Sequence, residues 1–137
     1  VMSAISMSGI VEHYDRRLAI QLLSDGYVVI FTAGTGNPFF TTDTAATLRA
    51  SELDCSLIIK ATKVNGIYDS DPNINPKAKL IKNISYNDVI NKDLKVMDLT
   101  AVSLAKETKI PIFVTNIFKN NSLISVLKEK GDYSKIS

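Results

Sequence analysis

Apolar residues in this chain fall into short continuous runs, separated by stretches where they recur every three or four positions. The continuous runs 1–6 (VMSAIS), 27–34 (YVVIFTAG), 56–64 (SLIIKATKV) and 110–117 (IPIFVTNI) predict strands, and YVVIFTAG reads as one buried on both faces. Between the first two runs, a turn falls near Ser8-Gly9. Asp15 is placed to cap a helix over 16–24, with Leu18/Leu22 and Ala19/Leu23 at i, i+4 spacing and Gly26 as its stop. Ala46, Ala50 and Leu53 share one face of a helix over 43–53. Further helices are predicted over 87–94, over 98–109 behind an Asp98 cap, and over 121–130 at the close. The segment 65–86 is rich in turn signals, with Asn65-Gly66, Asp71-Pro72 and Asn75-Pro76. Strands alternating with helices predict a mostly parallel α/β sheet with helices on both faces, as one domain over 1–137. In such sheets, ligands sit beyond the carboxyl ends of the strands. The loop after YVVIFT and the second half of SLIIKATKV both lie at that edge.

Composition narrows the classes. The 137 residues are 45% hydrophobic and 22% charged, ordinary values for a globular protein. A net charge of +2 with no basic stripe argues against a nucleic-acid partner. No apolar run approaches the roughly 18 residues of a membrane span. Cys55 is the only cysteine, so no internal disulfide forms; a reducing compartment and a small hydrophobic role fit it best. The opening VMSAISMSGI lacks the pattern of a signal peptide and begins inside strand-like sequence, which suggests residues upstream. His13 is the only histidine, so a Ser-His-Asp or Cys-His arrangement is excluded within this sequence. Neither a Walker-type loop nor G-x-G-x-x-G occurs.

Two segments carry candidate chemistry. In GTGNPFFTTD, Gly34 and Gly36 permit positive φ and close approach of the backbone to a ligand. Thr41 and Thr42 stand at a helix start, where free N–H groups attract phosphate oxygens. Phe39 and Phe40 offer packing surface for a base or ribose, and Asn37 offers both a donor and an acceptor. The structural alternative is a tight turn with two core phenylalanines and a Thr or Asp cap. Asp43 would cap the helix or hold a lysine or metal ion; beside a bound phosphate it would repel. In KATKVNGIYDSDP, Lys60 lies inside an apolar strand and needs a carboxylate or phosphate partner, or an outlet at the sheet edge. Lys63 has the opposite parity. Tyr68 is a stacking candidate; Asp69 and Asp71 read first as turn residues, with ribose or magnesium as alternatives.

The stretches Thr32–Asp43 (TAGTGNPFFTTD), Lys60–Gly66 (KATKVNG) and Lys95–Leu99 (KVMDL), in this order, resemble the bacterial uridylate (UMP) kinases of the amino acid kinase family. Thr32 stands where Ser is common, Asn65 where Asp is usual, and the tail after Lys130 is variable. The resemblance implies a three-layer αβα sandwich and transfer of the γ-phosphoryl of ATP to UMP with Mg2+. It implies a UMP site of Thr35, Gly36, Asn37, Pro38, Phe39, Phe40, Thr41 and Thr42, and ATP binding by Thr62, Tyr68 and Asp71. Lys60 and Asp43 would form the catalytic charged centre, with no dedicated metal ligands. A cytoplasmic homo-oligomer, a hexamer for the complete protein, is implied too, without a membrane or nucleic-acid partner. The family's N-terminal KLSG and GGGN loops do not occur here, so the chain is expected to represent the C-terminal half or slightly more, and to be inactive alone. A non-catalytic nucleotide-binding module, or a carbamate, glutamate 5- or aspartate kinase, are the competing readings.

Overall fold

The computed structural model of the chain describes residues 1–70, 72 and 74–137. In chain order the elements are β1 (Met2–Ser3), β2 (Glu12–His13), α1 (Arg16–Ser24), β3 (Phe31–Thr32) and α2 (Thr42–Glu52). They continue with β4 (Ile58–Thr62), β5 (Ile67–Tyr68), β6 (Leu80–Ile81), β7 (Asn83–Ile84), α3 (Tyr86–Asn91) and α4 (Leu99–Thr108). The last are β8 (Ile112–Asn116), α5 (Ser122–Leu127) and β9 (Ser134–Ile136). Local chemistry sets the helix starts. The Asp15 carboxylate accepts the Leu18 N–H at 2.8 Å, the Ser85 hydroxyl accepts that of Asp88 at 3.0 Å, and Asp98 accepts that of Ala101 at 2.9 Å. Helix α4 ends where Lys109 takes a left-handed φ of 57°.

The strands assemble as β2-β1-β3, as β4-β8-β9-β7 and as a β5-β6 ribbon. Most pairings are parallel, as expected for an α/β fold; β8-β9 and β5-β6 are antiparallel. The core lies under the second sheet. Ile112, Val114 and Ile136 are buried there against Ala101, Val102 and Ala105 of α4.

Two expectations fail. YVVIFTAG forms a strand only at Phe31–Thr32, and Val28 and Ile30 are 91% and 57% exposed. A strand buried on both faces needs cover on both, and β3 has β1 as its sole strand neighbour among the described residues. The unpaired edge of β3 and that of β4 instead flank a cavity of about 770 Å³, lined by Val29 and Phe31 on one side, Ile58 and Ile59 on the other, with Ala46 and Arg49 of α2. Cys55 lines it as well and is half-buried; burial raises its thiol pKa. The closing helix is also shorter than its apolar pattern, because the tail leaves it and returns as β9 between β8 and β7.

Candidate functional site

The loop between β3 and α2 is built from unusual backbone. Ala33, Gly34, Gly36 and Phe39 all take positive φ, from 61° to 78°. A Cβ on Gly36 would stand 2.8 Å from the Ala4 carbonyl oxygen, so glycine lets the loop fold back onto the end of β1. Thr35 Oγ1 accepts the Asn37 N–H at 3.1 Å and fixes the turn. Beyond it the loop opens to solvent: Asn37 and Pro38 are exposed, Phe40 is 53% exposed, and Phe39 is fully exposed with φ 70°. The reading of two core phenylalanines is therefore wrong. A non-glycine residue held at positive φ costs conformational energy, and Phe39 recovers none of it by burial.

The loop ends at Thr41, the N-cap of α2. Its hydroxyl oxygen accepts the N–H groups of Asp43 at 3.1 Å and Thr44 at 3.4 Å, and it donates to the Asp98 carboxylate. Thr44 donates to the same carboxylate at 3.0 and 3.1 Å. Because Asp98 also caps α4, one carboxylate joins the starts of two helices. Burial pushes its pKa up, but the donors Thr41, Ala101 and Thr44 outweigh this and hold it below the usual aspartate value. Local pattern found only the cap; the ties to Thr41 and Thr44 span 57 and 54 residues and leave no local signature.

Lys60 projects from β4 to the same edge, where its Nζ bonds the Asp43 carboxylate. Both side chains are largely buried, at 29% and 22% exposure, so the pair meets the lysine's demand for an anion. Asp43, Asp98 and the adjoining Lys95–Met97 line a pocket of about 340 Å³. Thr42, Asp43, Thr41, Lys60 and Asp98 are thus gathered where β4 ends and α2 and α4 begin. Asp43, Asp93 and Asp98 all line that pocket, but among the described residues no group of three acidic, His or Cys side chains is arranged to hold a metal by itself.

The second segment is more distant. Thr62 ends β4, and its hydroxyl accepts the Val64 N–H at 3.1 Å and donates to the Val64 carbonyl at 2.7 Å. Tyr68 sits half-buried on β5 opposite Leu80, and no hydrogen bond links it to the Asp43–Lys60 cluster among the described residues. Asp69 serves the turn, accepting the Lys79 N–H at 2.9 Å and the Ser70 hydroxyl at 3.2 Å. Asp71 lies outside the described residues.

Residues 2–116 match the amino acid kinase family. The uridylate kinase of Wolbachia pipientis wMel is 51% identical over 137 residues, which are 100% of this chain and 55% of that protein. The crystal structure of UMP kinase from Ureaplasma parvum is similar at a TM-score of 0.93 with 40% identity, covering 99% of this chain and 58% of the other. The UMP kinase structure from Bacillus anthracis is similar at 0.92 with 33% identity, covering 99% and 56%. The chain spans about half the length of the curated relatives it matches.

Proposed function

The chain belongs to the amino acid kinase family, and from that premise we propose that it is the nucleotide-binding portion of a UMP kinase, which moves the γ-phosphoryl of ATP to UMP to give UDP and ADP. The observation that carries this reading is the Lys60–Asp43 pair at the foot of an open, strained loop, between the starts of two helices. Phosphoryl transfer asks a protein chiefly to position groups and to neutralise charge. One N–H of the Lys60 ammonium is held by Asp43, which leaves two donors for phosphate oxygens. The loop Thr35–Thr42 takes UMP: Asn37 faces the uracil edge, Phe39 and Phe40 cover the nucleoside, and Thr42 stands on the phosphate side. The Thr41 hydroxyl is engaged by Asp98 and fixes the loop's end rather than the ligand.

ATP is held by Thr62, Tyr68 and Asp71. Mg2+ suits this donor set when carried on the phosphates, since it takes one or two carboxylates beside phosphate oxygens and water; Asp43 and Asp98 are the residues that would hold it. When bound, it would neutralise phosphate charge. The complete protein is proposed to be a cytoplasmic homo-oligomer, a hexamer. The KLSG and GGGN loops of the family resemblance are absent from the 137 residues, which are therefore proposed to bind nucleotide without turning it over.

Isothermal titration of UMP and CMP into the chain tests the acceptor assignment. UMP should bind at least about tenfold tighter, because a site matched to one donor–acceptor pattern leaves buried groups unpaired with the other. Asn37→Ala should erase the difference. Equal affinity for both nucleotides, or none for either, overturns the reading. Steady UDP formation by the 137 residues alone would overturn the proposed inactivity.

A further inference from the structure

The tail Gly131–Ser137 contributes one residue whose contacts reach far beyond its own strand. Ser134 opens β9, opposite Val114 of β8, and is completely buried. Its hydroxyl oxygen accepts the Ile67 N–H at 2.7 Å, and its O–H donates to the Ile81 carbonyl at 2.6 Å. Ile67 and Ile81 are register partners in the β5-β6 ribbon. One hydroxyl from a third strand therefore bridges both sides of a single rung, which works because a hydroxyl donates and accepts at once. Space for it comes from Gly66, where a Cβ would stand 2.5 Å from Ser134 Oγ and 2.8 Å from Leu80 Cδ1.

Among the described residues, Asp69 and Lys79 also bond across the far end of the ribbon, and the Lys135 N–H meets the Lys82 carbonyl beside β6. The hairpin pairs only two residues per strand, too little to hold its own geometry in water. Asn116 donates to Asn65 at 3.2 Å and steadies the approach from β4. The next residue after the Ser134 rung is Tyr68. Alternation along the strand turns it away from the face that buries Ile67.

We propose that Ser134 is a positioning residue for the ATP-binding half of the site. It fixes the ribbon that presents Tyr68, and does not itself touch nucleotide. This rests on the reading of Tyr68 as an ATP contact.

The test is titration of a non-hydrolysable ATP analogue, and separately of UMP, into the chain carrying Ser134→Ala, Tyr68→Ala, or both. Ser134→Ala should weaken the analogue by about tenfold, the equivalent of one hydrogen bond of positioning, and leave UMP within about twofold. The double variant should bind the analogue no more weakly than Tyr68→Ala, since the serine acts through the tyrosine. Losses that multiply, equal weakening of both nucleotides, or unchanged analogue affinity in Ser134→Ala would each overturn the proposal. Thermal melts confirm that each variant folds. Amide exchange at Ile67, faster in Ser134→Ala, reads the pin without any nucleotide. If the unmodified chain binds no ATP analogue, the parent reading fails and this proposal falls with it; if the chain binds it and Ser134→Ala binds it equally well, only this proposal fails.

Discussion

Two runs of nearly the same composition, IFVTN in β8 and YVVIF leading into β3, meet opposite fates. In β8, Ile112, Phe113, Val114 and Thr115 are all 3% exposed or less. That strand has β4 on one edge, β9 on the other, and the α4 alanines and Val102 in its core. In the second run, Tyr27, Val28 and Ile30 are 64%, 91% and 57% exposed, and among the described residues β3 pairs with one strand only. An apolar run thus states a demand for burial, while its supply depends on what is brought alongside. The cavity between the free edges of β3 and β4 lies beside the second run.

The sharpest test of that contrast is a matched pair of truncations. Ile112→Ala should cost about 2–5 kcal/mol in urea unfolding, through lost transfer energy and the cavity left behind. Val28→Ala should stay within about 0.5 kcal/mol, as surface changes do. A large and concentration-dependent loss for Val28→Ala would mean that a second copy covers the run in solution.

Next in size is Asp98, which binds the packed half to the loop. Asp98→Ala strips the cap of α4 and orphans Thr41 and Thr44, at a cost of roughly 1–3 kcal/mol. Because its folded pKa is depressed, its contribution is present above the ordinary aspartate value of about 4 and is lost as pH falls below it. Asp98→Asn should therefore flatten the acid limb of the stability curve between pH 4 and lower values. An unchanged limb would remove Asp98 from the tie. Lys60→Met follows. It leaves Asp43 partly buried without its cation, costs about 1 kcal/mol, and should weaken UMP by about tenfold through the lost phosphate donor. Intact UMP affinity in that variant would take Lys60 out of the site.

Much of this was legible in sequence where the cause is local. The caps Asp15 and Asp98, helix α1 over 16–24 and the need of Lys60 for an anion all follow from neighbouring residues. Strand β9 escaped notice because Ser134-Lys135-Ile136 is too short and polar to show a period; the partners on either side make it a strand. The exposure of Phe39 stays open between two readings in the sequence, since composition alone cannot tell a core phenylalanine from one held out at positive φ. Asp98 as a bridge between helices required contacts 54 and 57 residues apart.

The smallest predicted effect sits where the two regions join. Tyr14, just after β2, donates to Glu52 of α2 at 2.7 Å, packs edge-on against Phe31, and carries the Arg49 guanidinium 3.7 Å above its ring. Arg16 reaches the same helix end through the Glu52 carbonyl and Asp54. This network is the polar tie between the loosely covered sheet and the helix packed on α4. Burial, then the hydrogen bond and charge of Glu52, raise the Tyr14 pKa to about 12, against the opposing pull of Arg49. A raised pKa means that the stabilisation is complete below the tyrosine's ordinary value of about 10 and disappears as pH climbs toward 12. Absorbance at the tyrosinate band should show a late step near pH 12, absent in Tyr14→Phe. The same variant should lose about 1 kcal/mol or less at neutral pH, the worth of one hydrogen bond. Its alkaline stability loss should shrink accordingly. If Tyr14→Phe leaves both the late ionisation and the alkaline limb untouched, the tie between the two regions lies in the arginines alone.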